Sequence, residues 1–232
     1  MINRLRWYFL IWWEIISAPI LFYTVLERKP WREKSLDFLV ISSWIVSFFA
    51  TITIFITQVY PIGRTLLEGM SAWKLLVVSP ITIAITLMFF AIIFVILGGF
   101  AMFFIFGAFY VIGYLLFYLS KWMKGEGSPS FMLESVFYSS AVLLFFIFSL
   151  VFVVFVDAGL LSFEMFRVGY DIVYYFSALY IFGLWSISVR KVGGHSKLKS
   201  FLIAAIPFII LILIGIVFDL KGFEKVRPLL GV

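Results

Sequence analysis

The chain has 232 residues, of which 64% are hydrophobic and 13% charged, with a net charge of +6. Soluble domains run about 45–50% apolar and about 25% charged, so a soluble globular domain is excluded, and a positive balance spread through loops reads as membrane orientation rather than nucleic-acid binding. Cysteine is absent, which excludes disulfides, thiol catalysis and Cys-ligated zinc or iron–sulfur sites.

Residues 1–35 form an N-terminal segment. Arg4 and Arg6 precede an apolar run holding Trp7, Trp12 and Trp13, interrupted by Glu14 and Pro19. Arg28, Lys29, Trp31, Arg32 and Lys34 follow. A secretory signal is not expected, because Glu14 lies inside the apolar run and no small-x-small cleavage site follows. A spanning helix would leave four cations on the far side, against the charge bias. The expected form is an amphipathic helix in the headgroup region, with Trp7, Trp12, Trp13 and Trp31 as interface anchors and Arg28 and Lys29 on anionic lipid.

Residues 36–219 carry the hydrophobic segments. The first, 36–57, is one crossing long, and Ser42, Ser43, Ser47, Thr51, Thr53 and Thr57 recur along it near helical spacing. Small hydroxyl residues let helices approach and hydrogen-bond across the contact, so a packing face is preferred to a polar solute path. A loop is expected over 58–74. Then 75–120 holds no Lys, Arg, Asp, Glu or His. As one helix these 46 residues would measure about 69 Å, against a hydrocarbon core of about 30 Å. The expectation is two halves, 75–97 and 100–120, broken at Gly98-Gly99, with Gly107 and Gly113 as packing positions. Further segments are expected at 136–156, 172–189 and 201–218, separated by a Gly125-Glu126-Gly127-Ser128-Pro129 turn, an acidic loop with Asp157, Glu164 and Asp171, and a basic turn 190–199. Residues 220–232 are a short polar tail.

The fold class is therefore all-α. It is a polytopic integral membrane helical bundle of six hydrophobic helices, with five or six crossings, plus the interfacial helix. Loop charge bears on the number. With five crossings, 12 of the 18 Lys and Arg share the side of segments 1–35, 121–135 and 190–199. With six, the better split is 10 against 8. The positive-inside rule favours five, with the N-terminus cytoplasmic and the C-terminus outside. Helix length favours two full halves in 75–120. The number stays open between the two.

No charged side chain or His lies in the middle of a segment, which argues against an ion-coupled transporter. Asp157, Glu164 and Asp171 lack tight oxygen-ligand spacing and read as a solvated loop. His195 has no Cys or carboxylate partner at ligand or catalytic spacing and reads as a solvated loop residue. No phosphate-binding loop, G-x-S-x-G or H-E-x-x-H occurs. No catalytic residue, metal ligand or cofactor is assigned.

The Gly125-Glu126-Gly127-Ser128 turn, then Phe131, then Tyr138-Ser139-Ser140 opening an apolar segment, resembles the Yip family of multispanning membrane proteins. Those proteins are named for interaction with Ypt/Rab GTPases, and the family includes prokaryotic members. Pro19-x-x-Phe22 and Trp31 before the first span, Ile181-Phe182-Gly183-Leu184-Trp185-Ser186, and Gly193-Gly194 before the last span extend the likeness over roughly 10–218. Val142 stands where members commonly carry a proline. The resemblance implies a non-enzymatic membrane scaffold, trafficking or assembly factor. Its partners would be the lipid bilayer and a protein partner or a second copy within the membrane, with no nucleic acid. The alternative is a permease subunit of an exporter working with a separate ATPase, a plan that needs both termini cytoplasmic.

Overall fold

In the computed structural model, residues 2–26, 33–67 and 70–227 are described, and they are helical almost throughout, with no strand among them. Helices α1 (Ile2–Ser17) and α2 (Pro19–Val25) come first. Then α3 (Lys34–Ile54) continues through a π turn, Phe55–Val59, into α4 (Tyr60–Leu67). Next is α5 (Ala72–Trp122). A span is then built from α6 (Pro129–Tyr138), a 3-10 stretch Ser139–Phe145, and α7 (Phe146–Asp157). Finally α8 (Phe163–Gly193) and α9 (Lys197–Val217) lead through a second π turn, Phe218–Gly222, into α10 (Phe223–Val226).

Among the described residues, five helices are long and apolar enough to cross a membrane: 34–63, 76–122, 129–157, 163–193 and 197–225. The chain is thus an all-α, multi-pass membrane bundle with five such helices, or six spans if the bent pair α1–α2 is counted as one. The expected break is absent. Residues 75–97 and 100–120 belong to one helix of 51 residues, continuous through Gly98-Gly99. The physical reason is solvent. In hydrocarbon a broken turn strands N–H and C=O groups with no water to receive them, so glycine's weak helix propensity does not decide the outcome. Gly98 has another use: a Cβ there would overlap the Trp44 indole of α3, whereas Gly99 faces open space. Pro80 and Pro207 likewise sit inside α5 and α9 without ending them.

Two other expectations are corrected. Residues 58–67, read as loop, are the π turn and α4. The span at 172–189 begins at Phe163, so Glu164, Arg167 and Asp171 lie on the first turns of α8 rather than in a loop. Local capping sets these starts. Ser128 accepts from the Phe131 N–H, with Pro129 at the first helical position, and Ser162 accepts from the Met165 N–H. Each cap satisfies an N–H that the helix itself cannot. Gly194 ends α8 in the left-handed region, φ 69°, its N–H bonded to the Arg190 carbonyl at 3.1 Å, a conformation natural to glycine.

The core lies toward one end of the bundle. Tyr8, Tyr23, Phe38, Leu116, Phe137 and Trp185 are fully buried there, drawn from α1, α2, α3, α5, α6 and α8. That end gathers the basic segments. The Glu126 N–H bonds to the Gly193 carbonyl at 3.3 Å, and Lys191 Nζ donates to the Thr24 carbonyl at 2.6 Å. So α2, the 121–128 turn and the 190–196 turn meet, as the five-crossing charge count requires. At the opposite end Arg167 Nε donates to Asp219 Oδ1 at 2.7 Å, beside a small cluster of Val156, Phe166 and Phe223.

Candidate functional site

Three features converge toward the basic end: a pair of interlocked turns, a polar seam beneath them, and a cavity beside α1.

The turns are walled by glycine. Helix α5 closes with Lys124 in the left-handed region, φ 69°, and the Gly125 N–H returns to the Ser120 carbonyl at 2.8 Å. A Cβ at Gly125 or at Gly193 would overlap Ser120 Oγ, and one at Gly127 would stand 2.5 Å from the Val192 carbonyl oxygen. Between the turns, Ser120 Oγ and His195 Nε2 lie 2.8 Å apart. His195 is 8% exposed and Ser120 2%. The reading of His195 as solvated is therefore overturned. The lysines around it, Lys197 and Lys199, stay exposed, while the imidazole turns inward to the Ser120 hydroxyl.

A serine hydroxyl hydrogen-bonded to an imidazole has the atoms of a nucleophile–base pair. The sequence offered no such pair, because its members are 75 residues apart. The backbones of Gly125 and Gly193 pack closely against the hydroxyl, and the pair is a latch in the sense that it joins the end of α5 to the α8–α9 turn.

Below the latch runs the seam. Along α3 and the π turn after it, the hydroxyls of Ser42, Ser43, Ser47, Thr51, Thr53 and Thr57 each donate to the carbonyl four residues back, at 2.8–3.0 Å. All six are buried. Ser42 Oγ also meets the Tyr8 hydroxyl at 2.9 Å and accepts from Ser140 Oγ at 3.4 Å. Trp185 Nε1 donates to Ser139 Oγ at 3.0 Å, and Ser139 Oγ donates to the Val136 carbonyl at 2.6 Å. Tyr138-Ser139-Ser140 and Leu184-Trp185-Ser186, quoted above for the family likeness, thus touch directly. Their meeting place is the junction of α6 with the 3-10 stretch, and 3-10 geometry inside a long helix is a common hinge. Burial pushes the Tyr8 phenol well above its ordinary pKa, so it takes part as a neutral hydroxyl.

The N-terminal segment is packed onto the bundle rather than lying apart from it. Helices α1 and α2 bend by 116° at Ala18. Trp12 Nε1 donates to the Ala141 carbonyl at 2.9 Å, Tyr180 to the Ile16 carbonyl at 2.7 Å, and Tyr23 to the Ser135 carbonyl at 3.0 Å. Trp7 meets Phe38 edge-on at 6.5 Å. Of the three tryptophans on α1, Trp13 is the one that points away, 62% exposed. Arg28, Lys29 and Trp31 lie outside the described residues. Trp7, Phe22 and Tyr138 line a cavity of about 330 Å³ together with Glu14, Lys34 and Glu134. Gly98 and Gly99 are far along α5 from this end; Gly98 belongs to its contact with α3, and Gly99 faces open space. Among the described residues no group of His, Asp and Glu is arranged to hold a metal ion, Asp157, Glu164 and Asp171 included.

Comparison with protein-family models, with curated proteins and with solved structures finds no match to this chain.

Proposed function

We propose that this is a non-catalytic, Yip-like integral membrane protein, acting as a scaffold, trafficking or assembly factor through binding of lipid or of a protein partner in the membrane. One observation carries the reading. Along α3 the hydroxyls of Ser42, Ser43, Ser47, Thr51 and Thr53 are buried, and each bonds to a carbonyl of its own helix. Such residues hold helices together; they do not offer a solute a chain of open partners. The absence of charged side chains at mid-span in the sequence supports the same reading. The basic end, facing the cytoplasm at the cell membrane by the charge bias, is the surface we assign to partner contact.

The rival reading is a permease subunit paired with a separate ATPase. It draws on the bent α1–α2 pair, which together are long and apolar enough for a sixth span. The experiment that separates the two is gentle solubilisation followed by identification of copurifying proteins, alongside solute flux in proteoliposomes. A stable neighbour other than an ATPase, with no saturable flux, is the expected result. A bound ATPase, or saturable movement of a defined solute, would replace the scaffold reading with the permease.

A further inference from the structure

The face of the C-terminal helix that points away from the bundle is graded along its length. Ile210, Leu213, Ile214 and Val217 are each about half exposed and form the walls of a groove of about 500 Å³. Lys221 and Lys225 close one end of it, both exposed. The π turn Phe218–Gly222 falls where the groove changes from apolar to basic. Gly222 lies in that groove, with the Phe218 ring resting where its Cβ would be.

Charge is sorted between the two faces of this segment. Asp219 is paired with Arg167 at 2.7 Å, and Glu224 lines a separate cavity with Glu164, Arg167 and Arg227. The carboxylates are thus on the side facing α8. Lys221 and Lys225 are left on the groove side, and among the described residues neither is in an ion pair.

We propose that this groove seats one anionic phospholipid, its phosphate between Lys221 and Lys225 and one acyl chain along Val217, Ile214, Leu213 and Ile210. The lengths agree. The eleven helical steps from Ile210 to Lys221 rise about 16 Å, and half of a hydrocarbon core is about 15 Å. Lysine stems lie along apolar surface while their ammonium groups reach the headgroup level. This seat depends on the chain being embedded in a bilayer and not on whether it works as scaffold or permease.

The test is lipid titration by native mass spectrometry on the full chain, with phosphatidylglycerol and phosphatidylcholine as probes. The wild-type protein is expected to bind one phosphatidylglycerol in clear preference to phosphatidylcholine. The double substitution Lys221→Gln/Lys225→Gln should lower that preference by about thirtyfold. Lys197→Gln/Lys199→Gln, at the other end of α9, should leave it in place. Phosphatidylglycerol with a photoactivatable acyl chain should crosslink within 210–217. A preference untouched by Lys221→Gln/Lys225→Gln, or lost equally in Lys197→Gln/Lys199→Gln, overturns the seat. So does crosslinking confined to other helices. Glycerol phosphate displacing the lipid at equal concentration would also overturn it, since the apolar groove would then contribute nothing.

Discussion

Trp185 on α8 and Ser139 at the α6 junction are joined by a 3.0 Å hydrogen bond from the indole N–H to a hydroxyl that itself donates to the Val136 carbonyl. Both residues are completely buried. The bond fixes α8 against the one span whose helix is interrupted by a 3-10 stretch. Trp185→Phe keeps most of the packing and strands the hydroxyl's acceptor side. It should destabilise the fold by about 1–2 kcal/mol. Thermal unfolding in detergent checks this, and a cycle with Ser139→Ala should return a coupling of about 1 kcal/mol. Additive effects would show that the two side chains do not depend on each other.

The adjacent glycines of α5 should behave oppositely. Gly98→Ala drives a methyl into the Trp44 ring, and overpacking of this kind costs about 1–3 kcal/mol. Gly99→Ala meets nothing and should be neutral or stabilising by up to about 1 kcal/mol. Trp44→Leu should relieve the Gly98→Ala penalty. Equal shifts for the two alanines would fit a hinge at this pair instead of a helix contact.

At the turn pair, Gly127→Ala sets a methyl against the Val192 carbonyl, which is backbone and cannot swing aside. A loss of about 1–3 kcal/mol is expected, with Gly63→Ala, which has open space around it, as the control. Hydrogen exchange of the 121–128 and 190–196 amides should rise together in the Gly127 variant. Exchange confined to one turn would mean that they do not form a unit.

The contents of this end were only partly legible in the sequence. Composition alone gives an all-α membrane bundle, and Ser128-Pro129 and Gly194 mark helix ends by their own chemistry. Loop charge points to five spans, and the basic segments it places together do meet. The continuity of α5 was hidden, because the break was expected from length alone, about 69 Å against a hydrocarbon core of about 30 Å, and 46 uncharged residues carry no mark of which of them lie within the bilayer. The docking of α1 was hidden for another reason. Its anchors, Tyr8 to Ser42 and Trp12 to Ala141, span 34 and 129 residues, and no local pattern records such pairs. His195 was misread because its exposed lysine neighbours set the local impression, while a single imidazole turned inward.

The Ser120–His195 pair yields a direct check on the non-catalytic reading. An organophosphorus probe that phosphorylates activated serines should leave Ser120 unmodified, because Gly125 and Gly193 pack against its hydroxyl. His195→Ala should lower stability by about 1–3 kcal/mol, through the unpaired buried Ser120 hydroxyl. Labelling of Ser120 that disappears in His195→Gln would instead mark a working nucleophile.

The central claim is that five spans place the two ends of the chain on opposite sides, with the latch and its basic turns on the N-terminal side. Because the chain has no cysteine, Asn3→Cys and Arg227→Cys each provide a single reporter for a membrane-impermeant thiol reagent in intact cells. The account predicts that the Arg227→Cys variant is labelled from outside and that the Asn3→Cys variant is labelled only after permeabilisation. Labelling of both from the same side would contradict it.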